Sequence, residues 1–250
     1  MHIIPVLDLK QGCVVRGVAG RRSEYRPIES RLVNSAEPVA VTRVLQSLGL
    51  SQFYIADLDA IGGAEPSWDI YRVLSECGIK LWIDAGITNA TQAERMFDFA
   101  ETERNVTGII AGLESLAGPE TLAEIVGQDS ADRLIFSLDL KNGRPLANGN
   151  WKDATAENIA PTAIIFGVRR MIVLDLAGVG VGEGVVALDL CRRLREQFAD
   201  LEIISGGGVR DAEDLSELEA AGCDAALVAS ALHDGRITRE TLDRWHRTHK

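Results

Sequence analysis

The chain has 250 residues, 46% of them hydrophobic and 25% charged, a length and balance that suit a globular protein with a large core and match what one α/β barrel needs. Its formal net charge of -11 opposes nonspecific binding to nucleic acid or to an anionic membrane, so an anionic ligand has to be held by a local site. No apolar run reaches the roughly 18 to 20 residues of a membrane span, and the four cysteines (Cys13, Cys77, Cys191, Cys223) form no C-x-x-C pair, so the composition predicts a cytoplasmic protein without a metal site.

Along the chain, β-branched runs at residues 2–9, 52–58, 80–84, 106–111, 133–140, 170–176, 202–205 and 225–229 predict eight strands. Apolar residues at helical spacing fall between them, as at 38–48, 90–99, 187–198 and 212–221. Strands alternating with amphipathic helices predict parallel pairing, and no first strand runs into the G-x-G-x-x-G turn of an open dinucleotide-binding sheet. Residues 1–250 therefore read as one (β/α)₈ barrel domain whose first strand is followed by a long polar loop through Ser30.

The halves of the chain echo each other. Val6-Leu7-Asp8-Leu9-Lys10-Gln11-Gly12 is similar to Ser137-Leu138-Asp139-Leu140-Lys141-Asn142-Gly143, and Ile83-Asp84-Ala85-Gly86-Ile87 to Ser205-Gly206-Gly207-Gly208-Val209. Offsets of roughly 120 to 130 residues fit a four-strand unit duplicated into a barrel.

Asp8 and Asp139 end strands that lie opposite each other in such a barrel, on the face where barrel enzymes place their chemistry. One carboxylate can remove a proton while the other, kept protonated by its surroundings, delivers one. A strand-end Asp also commonly caps its own turn, and it is the recurrence in both halves that favours catalysis. Gly206-Gly207-Gly208, ahead of a helix, lets backbone N–H groups approach an anion, and Ala229 and Ser230 after the last strand close the same pocket; these five residues are the expected phosphate site. Trp151, in Asn148-Gly149-Asn150-Trp151-Lys152, either stacks on a flat substrate or packs as a lid. Asp57 and Asp175, at the ends of strands 2 and 6, are weaker candidates for substrate contact because turn capping also explains them. The histidines (His2, His233, His246, His249) fall away from the strand ends, and neither a serine–histidine triad nor a histidine metal cluster is expected.

These residues carry a resemblance. The opening Ile4-Pro5-Val6-Leu7-Asp8-Leu9 with Gly12-Cys13-Val14-Val15-Arg16, the strand 2 segment Ile55-Ala56-Asp57-Leu58-Asp59, and the loops Ser205-Gly206-Gly207-Gly208-Val209-Arg210 and Val228-Ala229-Ser230-Ala231-Leu232 resemble the family of histidine-biosynthesis barrels. That family comprises a ribotide isomerase and a cyclase subunit, and the isomerase branch is the more similar. The resemblance implies an Amadori rearrangement of an aminoaldose phosphate to an aminoketose phosphate, without cofactor or metal, with Asp8 as general base and Asp139 as general acid.

The departures shape the expectation. Where the isomerases carry a second Gly-Gly-Gly-Val/Ile-Arg loop for a second phosphate, this chain reads Asp84-Ala85-Gly86-Ile87-Thr88, and strand 4 ends in Gly112-Leu113-Glu114-Ser115. Carboxylates there repel a dianion that the family binds with charge-assisted hydrogen bonds. The family's Thr-Asp-Ile-x-x-Asp-Gly after strand 6 becomes Leu174-Asp175-Leu176-Ala177-Gly178-Val179-Gly180. The expected activity is that of an isomerase paralogue acting on a phosphorylated small molecule with one phosphate; a monomer is compatible with the sequence, which leaves the oligomeric state open. Three alternatives stand beside it: the histidine-pathway isomerase itself, a noncatalytic phosphometabolite-binding barrel, and a cyclase subunit with a glutaminase partner.

Overall fold

In the computed structural model, which describes residues 1–128, 131–148, 151 and 155–248, eight parallel strands close into a barrel. They are β1 (His2–Lys10), β2 (Gln52–Asp57), β3 (Lys80–Asp84), β4 (Val106–Gly112), β5 (Leu134–Lys141), β6 (Arg170–Asp175), β7 (Glu202–Gly206) and β8 (Ala225–Val228), each paired with the next, and β8 returns to β1 through Ile4↔Leu227 and its neighbours. Helices α1 (Pro38–Ser47), α3 (Trp68–Glu76), α4 (Ala90–Thr102), α5 (Pro119–Val126), α6 (Ala156–Phe166), α7 (Leu188–Gln197), α8 (Ala212–Ala220) and α10 (Arg239–Thr248) follow the strands, and two single turns, α2 (Leu58–Ile61) and α9 (Ser230–His233), begin at the strand ends and contribute to the mouth. None of the described helices is long and apolar enough to cross a membrane.

Strand alternation divides the core in two. Outward-facing residues such as Leu7, Ile55, Ile83, Phe136 and Val173 pack under the helices, and the inward set, Ile4, Tyr54, Trp82, Ile110, Ile135, Ile172, Ile204 and Leu227, fills the barrel axis. The polar ends of the strands therefore emerge from an apolar plug, which sets the dielectric of whatever sits above it.

The loop after β1 is more ordered than the sequence suggests. β1 runs on past Asp8 to Lys10, turns at Gln11-Gly12 and pairs antiparallel with a short strand, Cys13–Arg16. β5 does the same, turning at Asn142-Gly143 into Arg144–Pro145. All four turn residues adopt left-handed φ, between 50° and 75°, the geometry of the two-residue hairpin that matches strand twist. The internal repeat thus extends beyond the acids into their hairpins.

Gly108 on β4 is a packing requirement of the inner core. A Cβ there would lie 2.4 Å from Cδ1 of Trp82 and 2.7 Å from Cδ1 of Ile135, so the indole occupies the space the glycine leaves. Gly108→Ala is expected to cost about 1–3 kcal/mol by overpacking, read as a lower urea midpoint with an unchanged m-value.

Candidate active site

The strand ends open onto a cavity of about 920 Å³ at the C-terminal face of the barrel. Asp8 and Asp139, four strands apart around the ring, both line it, together with Asp84 from β3 and Glu114 just after β4. Inward alternation places them: Val6 and Asp8 share a face of β1, Trp82 and Asp84 a face of β3, and Ile135, Ser137 and Asp139 a face of β5.

Asp139 is buried. Ser137 Oγ, two residues earlier on the same face, donates to its Oδ1 at 2.6 Å, and in the pairing register the apolar Leu174 stands directly beside it. Burial pushes its pKa up from the ordinary 3.8 to about 8, with the nearby Glu114 and Asp84 carboxylates adding to the rise and the Ser137 hydrogen bond opposing it. Asp8 is pushed up to about 7, again chiefly by burial, with Arg22 lowering it and Asp84 raising it. Asp84 rises to about 6 for the same first reason, although Gly86 N–H at 3.1 Å and the Tyr54 hydroxyl at 3.0 Å donate to it.

Arg22 is the one cationic side chain among the described lining residues, and it is already engaged: its guanidinium pairs with Glu114 across the mouth while Lys10 Nζ holds its carbonyl at 2.6 Å. Tyr25 also faces Asp8, and burial raises its hydroxyl to about 12, so it stays protonated. The opposite wall is apolar, made by Leu174, Leu176, Val179, Val209 and Leu227.

The glycine loop borders that apolar wall. Gly207 and Gly208 line the cavity with φ of 77° and 107°, a left-handed pair that only glycine adopts freely, and Ala229 and Ser230 line it from the β8 side. Gly206 is placed differently. It is the last residue of β7, buried, and a Cβ there would lie 2.5 Å from the Leu227 carbonyl oxygen, so its smallness serves strand packing. Arg210 does not reach into the cavity lining; its side chain grips Asp214 through Nε at 2.9 Å and Nη2 at 2.6 Å and so shapes the loop.

Three weaker candidates lie elsewhere. Asp57 is fully buried and accepts from Ala60 N at 3.1 Å, Ser67 N at 2.9 Å and the Tyr71 hydroxyl at 2.5 Å, which makes it the cap of α2 and the anchor of the following loop. Asp175 accepts from Asn142 N, Gly143 N and Ala177 N at 3.0, 2.7 and 2.9 Å, tying the β5 hairpin to β6. Trp151 is buried in the outer core with its ring 6.3 Å from that of Phe136, on the helix side of β5 and outside the described cavity lining. Gly149, Asn150, Lys152 and His249 lie outside the described residues. His233 is buried with Nδ1 3.0 Å from Ser30 Oγ, and no described group of three or more histidine, cysteine or acidic residues is arranged to hold a metal.

Tyr54, Arg22, Tyr25 and Ser137 are the lining or supporting residues that the motif reading did not single out. Tyr54 and Ser137 were accessible from strand period alone, since each lies an even number of residues before a strand-end position facing the mouth. Arg22 and Tyr25 had no local signal, because a loop that folds back over the mouth has no period.

A model of the family described as "Histidine biosynthesis protein" matches residues 2–238. The chain belongs to this family. Among its relatives, an uncharacterised protein of Methanocaldococcus jannaschii is 30% identical over 245 residues, covering 97% of each chain. The 1-(5-phosphoribosyl)-5-((5-phosphoribosylamino)methylideneamino)imidazole-4-carboxamide isomerase of Desulforudis audaxviator is 29% identical, covering 95% of this chain and 88% of its own. The isomerase of the same description from Halothermothrix orenii is 28% identical, covering 98% and 100%.

In this histidine-biosynthesis barrel the raised acids have a measurable consequence. An acid whose folded pKa lies above its unfolded value keeps its proton longer when folded. Stability therefore falls as pH rises from 3.8 towards about 8, and the cost of burying the Asp139 charge is fully present above that. Asp139→Asn, which can still accept from Ser137, is expected to melt at a higher temperature than the wild type at pH 9, with the gain fading as pH falls to 4.

Proposed function

We propose that the chain is an isomerase that converts a phosphorylated aminoaldose to the corresponding aminoketose. The observation that carries the reading is the pair of strand-end acids on opposite strands of one cavity, both pushed by burial into the neutral range, Asp8 to about 7 and Asp139 to about 8. Near neutral pH each can take up or give a proton, so one can serve as base and the other as acid, and the family resemblance gives the base role to Asp8 and the acid role to Asp139.

The reaction follows from that division. Asp139 gives its proton to the ring oxygen as the bond from the anomeric carbon to that oxygen breaks, leaving the nitrogen and carbon joined as an iminium. Asp8 then removes the proton from the adjacent carbon, and the electron pair of that C–H bond forms the enol-amine. Loss of the hydroxyl proton and protonation of the former anomeric carbon complete the aminoketose. The names of the isomerase relatives agree with this reaction class at the level of an isomerase acting on a phosphoribosyl compound.

The strand 6 departure does not leave Asp139 without a hydroxyl. Leu174 stands where the family motif has threonine, and Ser137 of β5 supplies the donor instead. What changes is the neighbour: a desolvating leucine keeps Asp139 protonated.

The substrate is anchored by one phosphate, at the Gly207-Gly208 loop with Ala229 and Ser230. The position of a second phosphate would fall among Asp84 and Glu114, where Arg22 is the available cation and is committed to Glu114. A paralogue of the histidine-pathway enzyme with a monophosphate substrate fits this arrangement better than the bisphosphate isomerase does.

Asp8→Asn and Asp139→Asn are each expected to lower turnover of an aminoaldose monophosphate about 10²- to 10⁴-fold, with circular dichroism unchanged. Retention of turnover by either variant would contradict the assignment, and growth of an isomerase-deficient histidine auxotroph on this gene at normal expression would contradict the monophosphate reading.

A further inference from the structure

The opposite end of the barrel holds a second cavity, of about 1010 Å³, that the proposed chemistry does not use. Ile4, Trp82 and Ala225 form its apolar floor. Above that floor the first or second residue of six strands contributes a polar side chain: His2, Gln52, Lys80, Thr107, Arg170 and Glu202.

Two of these side chains leave a buried polar atom unpartnered. Nε2 of Gln52 and Oγ1 of Thr107 are both buried and have no hydrogen-bond partner among the described residues. Arg170 is half-buried, and its one described hydrogen bond runs from Nη2 to the Asp132 carbonyl at 2.8 Å, which leaves most of its five N–H groups uncommitted. Neither Arg170 nor Lys80 has a carboxylate within ion-pair distance among the described residues. Burial pulls the Arg170 guanidinium below its ordinary pKa, with the Glu202 and Asp132 carboxylates opposing that shift. Against the formal charge of -11, the described lining of this mouth gathers two cations and two histidines, His2 and His246, with one carboxylate, Glu202, while Asp132 and Asp224 act on Arg170 and Glu202 from outside the lining.

A half-buried guanidinium and two buried neutral donors facing one space, with an exposed lysine at its rim, are a lining that suits an oxyanion. We propose that the N-terminal mouth of the barrel is a second anion site, separate from the catalytic cavity, which takes a small tetrahedral oxyanion of the phosphate class on Arg170 and Lys80 with Gln52 and Thr107 donating. Glu202 opposes the anion and tunes its affinity downward. The inference stands on the N-terminal mouth alone and does not depend on the isomerase reading.

Equilibrium dialysis of the full chain against radiolabelled inorganic phosphate tests it by counting sites. The wild type is expected to bind two phosphates per chain, and Lys80→Gln combined with Arg170→Gln to bind one. If the Gly207-Gly208 loop binds none, the same pair of proteins is expected to bind one and zero, so failure of the catalytic-site reading and failure of this one give different counts. Lys80 is exposed, so Lys80→Gln alone retains the fold and is expected to weaken the second site about tenfold. Glu202→Gln is expected to tighten it severalfold, a gain that damage to the fold cannot produce. Equal counts and affinities in wild type and variants, or no tightening by Glu202→Gln, would overturn the proposal.

Discussion

Two carboxylic acids held above an apolar barrel core are the constraint on which the rest of the structure turns. The inner column from Ile4 to Leu227 removes water from beneath the mouth, and Leu174 removes it from beside Asp139. Water is what normally keeps an aspartate at its ordinary pKa, so the core that stabilises the fold also raises the acids. The cost of that desolvation is local and is partly opposed by hydrogen bonds on two of the mouth's carboxyls: Ser137 on Asp139, and Tyr54 with the Gly86 N–H on Asp84. Fold stability and acid–base competence are thus coupled at these positions and pull in opposite directions.

The duplicated half-barrel provides the frame, and its asymmetry is what the proposed specificity rests on. Each half presents an acid at the end of its first strand and a tight hairpin after it, and each hairpin is tied down by an aspartate from the next strand region: Gln11 N–H on Asp59 at 2.5 Å, and Asn142 and Gly143 N–H on Asp175. The halves then diverge. The second half keeps glycines with left-handed backbone facing the cavity, whereas the first half presents Asp84 at the matching strand end. A cavity with a glycine loop on one side and two further carboxylates, Asp84 and Glu114, on the other is the basis of the proposed preference for a ligand that is anionic at one end only.

Much of this architecture was legible in the sequence because it rests on period. The eight strands follow from β-branched runs, and their ends differ from expectation by at most one residue, the hairpins accounting for the extension of β1 and β5. The acid pair was legible because it is repeated. Asp57, Asp175 and Trp151 show the limit. A strand-end carboxylate reads the same whether it faces a substrate or three backbone N–H groups, and an indole in a loop reads the same whether it faces the mouth or Phe136. Gly206 and Gly207 are adjacent and identical in type, yet one is pressed against Leu227 and the other opens to the cavity. Arg22 reaches Glu114 from 92 positions away through a loop whose path only the folded chain defines.

The single-phosphate character of the mouth is the central claim, and ligand-induced stabilisation tests it most directly, because linkage stabilises only what the native site binds. Melting temperatures measured with matched mono- and bisphosphorylated aminosugars at equal concentration should rise more with the monophosphate, and Asp84→Gly should narrow that difference. A larger rise with the bisphosphate in the wild-type protein would contradict the account.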